Sequence, residues 1–146
     1  MTHLDGNALA INPSGTLIVG HRSGDGSAVF WWRDPVTHAW HLPAVAIPSL
    51  GGASCPGGIG RDVNDAGIIV GWSCSAAASN TPTVWFLDLS GSTPVVAAPV
   101  VALPGLGVKN DIAAASTITN IAPYVVSGVV SISNSMQRVA VRWRIQ

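Results

Sequence analysis

Apolar and polar positions alternate in short runs along this chain, and the runs come back. Ala10-Ile11-Asn12-Pro13-Ser14-Gly15-Thr16-Leu17-Ile18-Val19-Gly20 returns as Asp62-Val63-Asn64-Asp65-Ala66-Gly67-Ile68-Ile69-Val70-Gly71. The copies continue in step, because Ala28-Val29-Phe30-Trp31-Trp32 is followed by Pro82-Thr83-Val84-Trp85-Phe86. A worn third copy carries Thr119-Asn120 before Tyr124-Val125-Val126-Ser127-Gly128, and then Ala140-Val141-Arg142-Trp143-Arg144. A period of about 50 residues is the signature of a repeat architecture.

Each unit reads as strands joined by tight turns. In the first, the pattern predicts strands over 7–11, 16–21, 28–33 and 37–42; in the second, over 59–63, 68–73, 82–88 and 94–98. The turns follow from chemistry: Asn closes an Asx-turn through its side chain, and Gly takes positive φ without a Cβ penalty. Four antiparallel strands per unit is the expectation, with Asp62 and Asp65 capping or closing their own turn. Repeat one runs over about 5–52, repeat two over about 53–107 and repeat three over about 108–146, the whole forming one domain. The chain stops just after the third aromatic strand, so the N-terminal Thr2-His3-Leu4 is the candidate for the missing fourth strand.

Composition supports an all-β reading. Val, Ile, Thr and Trp dominate, with 16 Gly and 10 Pro as punctuation, and good helix formers are scarce: there is no Glu and one Lys, Lys109. Charged residues are 10% of the chain, seven basic against seven acidic, and no basic cluster suits a phosphate backbone. Arg142 and Arg144 lie on one side of a strand, a solvated face with Arg138, and Trp143 should point to the opposite side. Nucleic acid is therefore not an expected partner. The most apolar stretch, Val95 to Leu103, is broken by Pro99 and is far short of the roughly 20 residues that span a bilayer. No membrane insertion is expected, and Met1-Thr2-His3-Leu4-Asp5 does not read as a signal peptide.

Cys55 and Cys74 flank the hairpin of the second repeat. With Asn64 to Gly67 as the turn, residue 74 faces a position near 57 and Cys55 lies diagonal to it. A disulfide and two free thiols both remain open, and a disulfide would imply an oxidising compartment. Two cysteines without partnered His spacing do not make a metal site.

Leu50-Gly51-Gly52 followed by Ile59-Gly60-Arg61-Asp62-Val63-Asn64-Asp65-Ala66-Gly67-Ile68-Ile69-Val70-Gly71-Trp72-Ser73 resembles the HAF-type extracellular repeat. The resemblance covers all three units, strongly in the second, well in the first and poorly in the third. The His-Ala-Phe element of that family is represented by Ala28-Val29-Phe30-Trp31 and Ala140-Val141-Arg142-Trp143, without the His. It implies β-propeller-like blades in a secreted or cell-surface protein, and it carries no catalytic residues. Three copies are fewer than a propeller ring usually needs. Two chains could join head to tail as a homodimer to make a six-bladed ring, and a β-trefoil or β-prism monomer is the alternative closure.

The acid, base and metal chemistry on offer is sparse. His38 and His41 are three apart, which on a strand sends them to opposite faces, and Asp25 between glycines reads as a turn residue. Ser54 lacks a nucleophile elbow, and Gly58-Ile59-Gly60 is only a fragment of a dinucleotide fingerprint. No catalytic residue, cofactor or metal is expected. The tryptophans are the richest resource. Trp31, Trp85 and Trp143 share a repeat position that suits packing between blades. Trp32, Trp40 and Trp72 are the candidates for a binding surface, because exposed Trp beside polar side chains can stack on a sugar or grip a protein. The expected role is a non-enzymatic recognition or scaffolding module, lectin-like where it binds a glycan. The alternatives are a self-assembly module that closes a ring with a second chain and, less favoured, a propeller-type hydrolase.

Overall fold

The fold is organised by the repeated Asn-x-x-Gly turns. Asn12 Oδ1 accepts from the backbone N–H of Thr16 and of Leu17 (2.9 and 2.8 Å), and Asn64 Oδ1 accepts from Ile68 N (2.9 Å). Gly15 and Gly67 close the turns at φ +70° and +75°, a region that penalises any Cβ. Each turn reverses the chain into an antiparallel hairpin, and the β-branched runs on either side extend the pairing.

The computed structural model describes residues 4–75, 80–105, 112–131 and 138–145. Among them the strands are β1 (Asn7–Ile11), β2 (Leu17–His21), β3 (Ala28–Trp32), β4 (Val45–Ala46), β5 (Gly58–Val63), β6 (Ile68–Ser73), β7 (Thr81–Asp88), β8 (Val95–Ala102), β9 (Ile112–Ile118), β10 (Tyr124–Ser131) and β11 (Arg138–Ile145). They form three antiparallel sheets in sequential order, β1-β2-β3-β4, β5-β6-β7-β8 and β9-β10-β11. The protein is all-β. Each sheet is drawn from one repeat, so no barrel is shared among the repeats as a trefoil requires.

The sheets stack face to face. Strand periodicity sends Ala28, Phe30 and Trp32 of the first sheet to one side, where they pack with Val63, Ile69, Trp85 and Leu87 of the second. The opposite side of the second sheet presents Ile68, Val70 and Val84, which meet Ala115, Val126, Trp143 and Ile145 of the third. Trp31, Trp85 and Trp143 therefore all face toward the N-terminal end of the stack, as their shared repeat position implies. Their indole N–H groups bond equivalent points of the segment leading into each sheet: Asp5 Oδ1 (2.9 Å), the Pro48 carbonyl (2.7 Å) and the Pro104 carbonyl (2.8 Å).

The fourth strand of the first sheet departs from expectation. It lies at Val45–Ala46, and the segment 37–42 predicted for it is a loop. Asp34 Oδ1 accepts from the backbone N–H of Val36 and of Thr37 (2.8 and 2.7 Å), which winds the chain into a tight turn. His38 then adopts φ +57°, incompatible with an extended strand, so only Trp40 bridges back to Arg33. At the N-terminus, Leu4 packs against Val29, Trp31 and Ala44 of the first sheet, and Asp5 Oδ1 accepts from Ala44 N (2.9 Å). The rest of the expected strand over 1–4, and residues 108–111 of repeat three, lie outside the described residues.

The turns also interlock between sheets. Asp65 Oδ1 accepts from Asn12 Nδ2 (2.7 Å) and Ser14 N (2.9 Å) of the first turn. Asn120 Nδ2 donates to Asp65 Oδ2 (2.9 Å), and Asn120 Oδ1 accepts from Asp65 N (2.8 Å). Asn64 Nδ2 reaches the Thr119 carbonyl (3.1 Å), and Asp62 Oδ2 accepts from Ile118 N (2.9 Å). Asp62 also accepts locally, from Val63 N. The expectation that Asp62 and Asp65 close their own turn is thus corrected: Asp65 ties all three turns together, and Asp62 ties the second sheet to the third.

Candidate functional site

The end of the stack that carries the Asn turns also carries an amphipathic cleft. Its walls come from two repeats. Thr16, Leu17, Trp32, Arg33 and Pro35 belong to the first, and Leu89, Gly91, Ser92 and Pro94 to the loop between β7 and β8 of the second; the volume is about 230 Å³. Leu89 closes down on the second turn because Gly67 has no Cβ, which would sit 3.1 Å from the Leu89 side chain.

Trp32 is the floor. It is 6% exposed, and His41 covers one of its faces in a parallel stack with ring centroids 3.4 Å apart and planes 10° apart. His41 Nε2 stands 3.7 Å from Asp34 Oδ2. The backbone N–H groups of Thr37 and Val36, in that order, hold the Asp34 carboxyl below the ordinary carboxylate range, so it is ionised at neutral pH. Arg33 donates its Nε to the His38 carbonyl (2.9 Å), which orients the guanidinium at the rim. The cleft therefore offers an apolar base of Trp32, Leu17, Pro35, Leu89 and Pro94, with Thr16, Arg33 and Ser92 as polar partners. That combination suits a small ring with one apolar face and hydrogen-bonding edges.

The three tryptophans expected to form a surface do not converge. Trp32 lines the cleft from within β3 and not from a loop. Trp40 is half-buried on the opposite side of the first sheet, against the cluster of Val29, Trp31 and Ala44. Trp72 shares the face of β6 that carries Ile68 and Val70 and is half-buried opposite Ile59 and Pro82. Arg142 and Arg144 are exposed on one side of β11, with Trp143 on the other.

Cys55 and Cys74 are disulfide-bonded, with Cα atoms 5.6 Å apart, at the other end of the stack. The bridge joins the segment between β4 and β5 to the residue that follows β6, beside the Cys74 N–H to Gly57 carbonyl bond (2.8 Å). Near it a second hollow of about 350 Å³ is lined by Ser27, Ile47, Pro48, Ser49, Ala53 and Pro56, without an aromatic side chain. Among the described residues no three His, Cys, Asp or Glu side chains are grouped to hold a metal ion, and no helix is long and apolar enough to cross a membrane.

One recurring feature gave no signal in the composition or the period. The first strand of every sheet carries an irregularity that leaves one residue out of register: Leu9 in β1, Arg61 in β5 and Ser116 in β9. All three are exposed, as expected of a bulge that re-aims a side chain. Comparison with family models, curated proteins and solved structures finds no match. What stands on the geometry is the class: an all-β protein of three stacked antiparallel sheets, one per repeat.

Proposed function

We propose that the chain is a non-enzymatic recognition module of the HAF-type repeat kind, with its sheets as propeller-like blades, acting outside the cell or at its surface. The cleft over Trp32 carries this reading: it is the size of a single sugar ring and combines an aromatic floor with an Arg and two hydroxyls. The Cys55–Cys74 bridge supports an oxidising setting. The ligand class is a glycan whose terminal ring enters between Pro35 and Pro94.

Trp32 is too buried to truncate without unfolding, so the test uses the rim. In titrations of a panel of methyl glycosides followed by Trp fluorescence, Arg33→Ala is expected to lower affinity at least tenfold. The unfolding midpoint should stay unchanged, and Trp40→Ala should bind as wild type. A panel with no binder, or an Arg33→Ala variant that binds normally, removes the reading.

A second reading is self-assembly into a ring with another copy. It draws on the exposed apolar side chains of β1, the edge strand of the first sheet: Leu9 (45%) and Ile11 (53%). It expects light scattering coupled to size exclusion to give twice the 14.9 kDa chain mass. A monomer across the accessible concentration range ends it.

A further inference from the structure

In the first two sheets the strand carrying the repeat tryptophan is covered on its outer side. β4 pairs with β3 through Val29↔Ala46 and Phe30↔Val45, and β8 pairs with β7 from Thr83↔Ala102 to Asp88↔Val95. In the third sheet the equivalent strand is β11, and among the described residues nothing pairs with its outer side. Its inner side pairs with β10 in unbroken register from Tyr124↔Ile145 to Ser131↔Arg138. The outer side is therefore a straight row of backbone donors and acceptors, a ready template for another strand.

The side chains say what that strand should be. Trp143 and Ile145 pack against the second sheet, and Val139 and Val141 continue that row. Arg138, Ala140, Arg142 and Arg144 make the other row, and all four are exposed. A second copy's β11 would set arginines beside arginines, and like charges across a ladder destabilise it. This chain has no Glu, and no two of its seven acidic residues stand at alternate positions, so it holds no strand that answers the row. The lane in the other sheets is filled by Val and Ala, with one Pro, Pro99, where the pairing of β8 is irregular.

We infer that the outer edge of β11 is a docking lane for an extended segment of another protein, one that alternates Asp or Glu with small or β-branched apolar residues. Main-chain bonds to the edge supply the attachment, and acidic side chains over Arg142 and Arg144 fix its face and register. The lane is separate from the cleft, so the inference stands or falls independently of glycan binding.

The probe is a fluorescein-labelled nonapeptide alternating Glu and Val, titrated with the full chain and read by fluorescence anisotropy. Binding is expected to saturate and to weaken with salt. Arg142→Glu combined with Arg144→Glu should lower affinity at least tenfold for this peptide and raise it for one alternating Lys and Val. A peptide of equal charge N-methylated at its Glu residues should not bind, because in a strand paired antiparallel, as β4 and β8 are, the residues opposite Arg142 and Arg144 are the ones that turn their N–H groups toward the lane. Equal binding of the N-methylated peptide would reduce the contact to charge attraction and overturn the inference. So would absence of binding, or a peptide-independent dimer whose β11 amides are protected from hydrogen exchange.

Discussion

Trp85→Ala should destabilise the protein by about 3–5 kcal/mol, the usual cost of emptying a large aromatic site in a core. Trp85 is fully buried between the first and second sheets, against Leu17, Val19, Phe30 and Trp32. Its indole N–H is the donor to the Pro48 carbonyl, which would be left without that partner. Domains of this size are stable by roughly 5–15 kcal/mol, so the substitution removes a large share of the total. Trp143→Ala, at the equivalent repeat position but half-buried, should cost less. Urea midpoints followed by far-ultraviolet circular dichroism give the comparison. Trp85→Phe separates the two contributions, since it keeps an aromatic ring and loses the donor. Equal midpoints for wild type and Trp85→Ala would mean that the strand does not sit between two sheets.

The repeat position of Trp85 was legible because its physics is local to one strand: a Trp in a period-two apolar run has one face to bury, and its recurrence fixes which one. The Asn-x-x-Gly hairpins were legible for the same reason, since Asn64 and Gly67 act within their own turn. The charged face of β11 followed from the same alternation, with Arg142 and Arg144 on one side and Trp143 on the other. The fourth strand of the first sheet lies at Val45–Ala46 and not over 37–42 because of the turn written just before that segment, where Asp34 gathers two backbone N–H groups and His38 takes positive φ.

The site was less legible, and the reason is distance in sequence. Alternation tells that Trp32 and Trp31 face opposite ways, but not that His41 stacks on one and Leu4 packs by the other. Trp40 and Trp72 share only their residue type with Trp32, and each belongs to a different sheet face. Leu89, Gly91, Ser92 and Pro94 reach the cleft only because the second sheet stacks on the first. The connection between β7 and β8 thereby becomes a wall. The bulges at Leu9, Arg61 and Ser116 arise from strand register, which one sequence does not display.

Asp65→Ala should cost about 2 kcal/mol, because one carboxylate ties three turns and charge-assisted bonds contribute more than neutral ones. It accepts from Ser14 N and Asn12 Nδ2 on one side and from Asn120 Nδ2 on the other. Asp88→Ala is the control, since Asp88 accepts from Ser90 N within its own loop and should be close to neutral. The same bonds, the Ser14 N–H foremost, hold the Asp65 carboxyl below its ordinary value of 3.8. The folded state thus releases the proton more readily than the unfolded chain. Stability from Asp65 is complete above the unfolded value and is lost as pH falls through the lowered one. Urea midpoints measured between neutral pH and about pH 2 should fall on acidification for wild type, and the gap to Asp65→Asn should narrow over that acid window. Asp5, Asp25, Asp34 and Asp88 are lowered as well and remain in both proteins, so only the difference between the two curves reports on Asp65. Parallel curves would show that the carboxylate does not couple the sheets, and the interlock would then rest on Asn64, Asp62 and the bond from the Asp65 N–H to Asn120.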